Sequence, residues 1–194
     1  MPKNIFRFLV SFSFLTLITG CVPMVVTRAG VEIGTGTLKM EDRRGSWVFI
    51  EDEQIELAAS RTINEKLGED AYISVTSFNR NVLLTGDVSN EAIRTKAAKL
   101  AINVKNVRDI FNEIVITPRS TTLSRNNDTL ITAKVKSRFL DNGVFQINHV
   151  KVITENSVTY LAGMVKHTEG KKATELASST PGVAKVVTIF EYLD

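Results

Sequence analysis

The sequence predicts an α+β fold made of two copies of one helix–strand–strand–helix–strand unit. Three observations carry this. Apolar residues spaced by four at Ile55, Ala59, Ile63 and Leu67 give way to strand-like runs at 72–78 and 82–86. The pattern returns at an offset of 77, which sets Ile63 on Leu140, Val75 on Val152, Leu84 on Leu161, Gly86 on Gly163 and Val88 on Val165. With one residue less, Ala101 falls on Ala177, Val107 on Val183 and Ile110 on Val186, a slip assigned to the second helix. Between the copies, residues 119–127 are polar and unpatterned, as a linker would be.

The elements follow in order. From Glu51 the spacing predicts an amphipathic helix that ends at Gly68, a residue type common just past helix ends. Asn79-Arg80-Asn81 joins two strands as a hairpin turn. Ser89 with Ala92 opens a second helix, whose apolar face is Ala97, Leu100, Ala101 and Val104. Val107 to Ile116 closes the unit as a third strand. The units are expected at 51–118 and 128–194, with the linker at 119–127.

At the strand motifs a resemblance emerges. Leu83-Leu84-Thr85-Gly86-Asp87-Val88, answered by Tyr160-Leu161-Ala162-Gly163-Met164-Val165, resembles the core of the BON domain. Pro181-Gly182-Val183 with Val186 is similar to that family's approach to its last strand; the first copy has Asn106-Val107 there and lacks the glycine. Asn127-Asp128-Thr129, with Ile131-Thr132 and Lys134-Val135, resembles the dual-BON outer-membrane lipoproteins. The fold so implied is two tandem BON domains, each αββαβ with a three-stranded mixed sheet packed on two helices.

The start of the chain fits that family. Lys3 and Arg7 precede a mostly apolar run, Phe8 to Ile18, too short for a membrane span of about 20 residues. Leu17-Ile18-Thr19-Gly20-Cys21 then resembles the bacterial lipoprotein signal, and Cys21 is the sole cysteine of the sequence. The resemblance implies removal of residues 1–20, a covalent diacylglycerol and an N-acyl chain on Cys21, and no other cofactor. Val22 is not the aspartate that marks inner-membrane retention, so the resemblance implies the outer membrane, periplasmic face. Residues 21–50, rich in glycine and weakly patterned, are expected to form the lipidated N-terminus and a flexible tether. Gly34-Thr35-Gly36 lacks the preceding strand, third glycine and lysine of a phosphate loop.

Charge and composition exclude several classes. Removing Lys3 and Arg7 from 24 basic residues leaves 22 against 21 acidic ones, far from the basic field of a nucleic-acid binder. His149 and His167, the two histidines, have no neighbouring His or Cys, so no metal site is expected. No Gly-x-Ser-x-Gly elbow is present, and a non-enzymatic protein is expected.

The contrast between the two first helices is the informative one. Residues 51–69 carry six acids against Arg61 and Lys66, whereas 129–140 carry Lys134, Lys136 and Arg138 and no acid. Ile131, Val135 and Phe139 should face the sheet, and Leu130, Lys134 and Arg138 an adjacent face. That face reads either as a solvated surface with Leu130 capping a small core, or as a membrane-interfacial face. The family resemblance implies the second, with anionic phospholipid bound through this helix at Leu130, Ile131, Lys134, Val135 and Arg138, in support of envelope integrity. Leu130 stands where a member of that family has a bulky aromatic. The other reading of the chain is an interaction module that docks an outer-membrane assembly or cell-division protein, using the acidic first domain or a sheet edge.

Overall fold

The computed structural model describes residues 42–68, 71–118 and 120–194. In the first unit, α1 (Ser46–Leu67) leads to β1 (Ala71–Phe78), β2 (Asn81–Val88), α2 (Glu91–Ile102), β3 (Asp109–Asn112) and β4 (Val115–Ile116). The second unit repeats the order with α3 (Thr122–Leu140), β5 (Val150–Glu155), β6 (Val158–Val165), α4 (His167–Ser178) and β7 (Lys185–Tyr192). The central strands β2 and β6 pair antiparallel with β1 and β5. On their other edge they pair parallel, β2 with β3 and β4, and β6 with β7. The sheets are therefore mixed and three strands wide, as expected.

Each sheet buries one face under its helices. Ile55, Ala59, Ile63 and Leu67 of α1 and Ala97 and Ala101 of α2 meet Val75, Val82, Leu84 and Val88. In the second unit, Ile131, Val135 and Phe139 of α3 and Ala173 and Ala177 of α4 meet Val150, Val152, Leu161 and Val165. The opposite faces of the two sheets join in a third cluster, with Phe78 and Leu83 from one and Tyr160, Ala162 and Ile189 from the other. The central strands β2 and β6 thus read as nearly continuous burial, since both faces of each sheet are covered.

The motif residues have direct physical reasons. A Cβ on Gly86 would run into the carbonyl of Tyr72, and one on Gly163 into the carbonyl of His149, so only glycine lets the neighbouring strand lie this close. Gly182 turns into β7 at φ +102°, and a side chain there would reach within 2.9 Å of Ile131. Its counterpart Asn106 adopts φ 69°, which asparagine tolerates better than most residues. The missing glycine of the first copy is thereby accommodated.

Both hairpins close on two residues of positive φ, Asn79-Arg80 (51° and 65°) and Asn156-Ser157 (50° and 63°), the sense that matches strand twist. Each turn is held by a buried aspartate of the preceding helix. Asp52 accepts from the amides of Asn79 (2.8 Å) and Arg80 (2.7 Å) and from the Ser77 hydroxyl (2.7 Å). Asp128 accepts from the amides of Asn156 (2.9 Å) and Ser157 (2.8 Å).

Six expectations are corrected. Residues 42–50, read as tether, belong to the folded body: α1 begins at Ser46, and the chain before it is pinned by arginines. Arg43 donates to both oxygens of Glu169 (2.5 and 2.8 Å) and to the Met164 carbonyl (2.9 Å), while Arg44 bridges Asp42 and Asp52. The linker 119–127 is largely helix, because the Thr121 hydroxyl accepts from the Ser124 amide and starts α3 at Thr122. The cap of α2 is Asn90 rather than Ser89, its side chain accepting from the Ile93 amide at 3.0 Å. The third strand is interrupted at 113–114, where the Asn112 side chain accepts from the Ile114 amide and Ile114 turns into the core. Finally, Ile63 matches buried Phe139 and not Leu140, which is exposed. The slip assigned to the second helix lies ahead of it: Ser89-Asn90 precede α2, whereas Lys166 alone separates β6 from α4.

Candidate functional site

α3 carries the site. Its inner face is fixed by burial of Asp128, Ile131, Val135 and Phe139, with Phe139 edge-on to Phe145 at 5.1 Å between centroids. Rotation by about 100° per residue then puts Leu123, Leu130, Ala133, Ser137 and Leu140 on the outer face. The three leucines are 79, 59 and 68% exposed. Lys134 and Lys136 are exposed on either flank of this stripe. The helix holds four cations, with Arg125 and Arg138, against the one buried carboxylate of Asp128, which is occupied by the turn. An apolar ridge between two cationic flanks can lie on a surface that is apolar below and anionic above.

The residues expected to bind lipid therefore separate. Leu130 and Lys134 sit together on the outer face. Ile131 and Val135 are fully buried in the core beneath, so they set the helix orientation and touch no external ligand. Arg138 is half-buried, donating from Nη1 to the Leu176 carbonyl (2.8 Å) and the Thr180 hydroxyl (2.9 Å), and it ties α3 to the end of α4. Cys21 and the signal segment 1–20 lie outside the described residues. Leu123 and Leu140 were missed, the first because it stood in the expected linker, the second because the repeat alignment gave it a core partner. The spacing Leu123–Leu130, two helical turns, was the available signal.

Lys136 also lines an open groove of about 420 Å³ between the two units, shared with Glu53, Glu56, Phe49, Phe78 and Lys151. The histidines are structural in placement. His149 is buried at the head of β5, and His167 stacks on Tyr192 at 3.9 Å and pairs with Asp194 at 2.8 Å. Among the described residues, no three His, Cys, Asp or Glu side chains cluster as a metal site would need.

A second exposed apolar stripe runs along α1. Trp47, 69% exposed, shares one helix face with Ile50 and Leu57, also exposed. Glu53 and Glu65 lie exposed around it.

Comparison with known proteins agrees with this architecture. The BON domain model matches residues 52–118 and 127–193. Outer membrane lipoprotein DolP of Haemophilus influenzae is 30% identical over 177 residues, 90% of each chain. A 21 kDa hemolysin of Actinobacillus pleuropneumoniae is 31% identical over 154 residues, 78% of this chain and 79% of that one. Osmotically-inducible protein Y of Escherichia coli is 27% identical over 117 residues, 59% of this chain and 58% of its own. With both halves matched and the expected αββαβ order present in each, the chain belongs to the BON domain family and carries two BON domains in tandem.

Proposed function

We propose that this protein is a non-enzymatic outer-membrane lipoprotein, held at the periplasmic face by acyl chains on Cys21, whose second BON domain rests on anionic phospholipid through α3 and supports envelope integrity. The observation that carries the reading is the leucine stripe of α3 between Lys134 and Lys136. Leu123, Leu130 and Leu140 enter the interface, and the lysines meet headgroup phosphates. The name of the Haemophilus relative supports the location. Each lysine near an anionic surface contributes about 1 kcal/mol, so the pair accounts for roughly 30-fold in affinity. A weak surface site suffices, because the anchor makes the second contact intramolecular. Among the described residues no helix is long and apolar enough to cross a membrane.

The test is co-sedimentation of the chain, with Cys21→Ser to remove the lipid, on phosphatidylglycerol and phosphatidylcholine vesicles. Binding to the anionic vesicles, reduced about 30-fold by Lys134→Gln/Lys136→Gln and weakened by salt, is the expected result. Arg138 is left unchanged because its loss would also free α4. Equal binding by both proteins would remove α3 from the function.

A second reading rests on the α1 stripe. Trp47, Ile50 and Leu57 beside Glu53 and Glu65 form a face suited to a partner protein of the outer-membrane assembly or cell-division machinery. In-cell crosslinking from position 57 that yields a single protein adduct would favour it.

A further inference from the structure

We propose that the junction of Asp87, Asp128 and Glu155 is a pH-operated clamp between the two BON domains, tight while Glu155 holds a proton and looser once it ionises. The proposal is independent of what α3 binds.

The junction is assembled from both domains. Asp87, at the end of β2 in the first, is buried and accepts through Oδ2 from the Ser120 amide (2.8 Å) and the Ser120 hydroxyl. Through Oδ1 it accepts from the side-chain amide of Asn156 (2.9 Å), on the hairpin turn of the second domain. The Ser120 hydroxyl also contacts the Asn156 side chain at 2.8 Å, so linker, first domain and second domain meet at one point. Asp128 of α3 holds the same turn through its two backbone amides. Asp87 and Asp128 are thus each surrounded by donors.

Glu155, the last residue of β5, is treated differently. It stands one residue before Asn156, half-buried, and its Oε1 is enclosed without a hydrogen-bond partner. The groups that act on it are Asp128 and Arg125 from α3 and Asp87 from β2, with Tyr160 of β6 coupled to it and to Glu113. Arg125 is the one cation of the set. Its guanidinium is engaged elsewhere, donating to the Ser120 carbonyl (2.8 Å) and the Thr122 hydroxyl (3.2 Å) and lying 4.9 Å over the Tyr72 ring. Burial first, and then the charges of Asp128 and Asp87, push the Glu155 carboxyl up to about 7, with Arg125 opposing.

The sign follows from linkage. The closed junction binds the Glu155 proton more tightly than an open one, where the carboxyl regains an ordinary value. Its contribution to closure is therefore complete below the ordinary carboxylate range and is lost as pH rises through about 7. Above that, three carboxylates share one enclosed junction, and separation of the domains relieves both their repulsion and the desolvation of Glu155.

Hydrogen exchange on the full chain tests this, with rates corrected for intrinsic pH dependence. The reporters are the backbone amide of Ser120 and the side-chain amide of Asn156, both bound to Asp87; the backbone amides of Asn79 and Arg80, bound to Asp52 within the first domain, are the internal reference. Protection at the reporters should fall by up to about tenfold per pH unit between roughly pH 5 and 7, relative to the reference, as one linked proton requires. Glu155→Gln should abolish the slope, and Asp87→Asn should shift it to lower pH. A flat profile for the unmodified protein, or an unchanged slope in Glu155→Gln, would overturn the proposal. Should Glu155→Gln fail to fold, the carboxyl 13C titration of Glu155 decides instead. A midpoint near 7 supports the clamp, and a midpoint in the ordinary carboxylate range refutes it.

Discussion

Replacing Asp52 by alanine should destabilise the protein more than the same change at Asp128, although the two aspartates occupy equivalent places. Asp52 satisfies three donors, two turn amides and the hydroxyl of fully buried Ser77, at 2.7 to 2.8 Å. A hydrogen bond to a charged acceptor contributes about 1.5–3 kcal/mol, but Asn79 and Arg80 are half-exposed and their amides can rehydrate, which lowers the figure to about 1 kcal/mol each. Ser77 cannot rehydrate, so its hydroxyl keeps a cost of about 1.5–2 kcal/mol, for a total of about 3–4 kcal/mol. Arg44 retains Asp42 as a partner at 2.8 Å and adds little. Asp128 serves two half-exposed amides, about 2 kcal/mol, and its removal also relieves a negative charge beside Glu155. Urea titration of each variant at neutral pH, followed by far-UV circular dichroism, measures the difference, expected at about 1–2 kcal/mol. A cost at Asp128 equal to or above that at Asp52 would refute the donor accounting, as would a cost below about 1 kcal/mol at Asp52.

Two further outcomes follow from backbone geometry. Ser157, held at φ 63° in the second hairpin turn, is a position where glycine relieves strain, so Ser157→Gly should raise stability by about 0.5–1 kcal/mol in the same titration. Gly163→Ala should cost about 3 kcal/mol or more, since its methyl group would enter the His149 carbonyl just ahead of β5; the loss would be read as a depressed thermal midpoint.

The fold was legible in the sequence because its determinants are local and repeated. The spacing of Ile55, Ala59, Ile63 and Leu67 marks the buried face of α1, and Gly86 and Gly163 mark the same close strand approach in each copy. Illegible were features that depend on a tertiary partner. Arg43 looked like part of a tether because its partner, Glu169, lies 126 residues away, and Arg44 because no apolar period reaches back from α1 to mark its pairing with Asp52. Arg138 looked like a free surface cation, yet the Leu176 carbonyl that claims it belongs to another helix. Leu123 was lost for a different reason. Polar Ser124 to Asp128 carries no apolar period, and the helix there is set by the Thr121 cap and by the buried Asp128. An ionisable core residue inverts the usual pattern, and Asp52 does the same in α1.

Arg43 and Arg44 are adjacent in sequence but grip different domains, one at Glu169 and the other at Asp52. A pull on the chain ahead of Asp42 consequently enters the molecule where its halves meet, and is divided between them at its first point of grip. Loaded this way, the body resists by shear across both ion pairs together, whereas an attachment to the end of one helix would peel that domain away first.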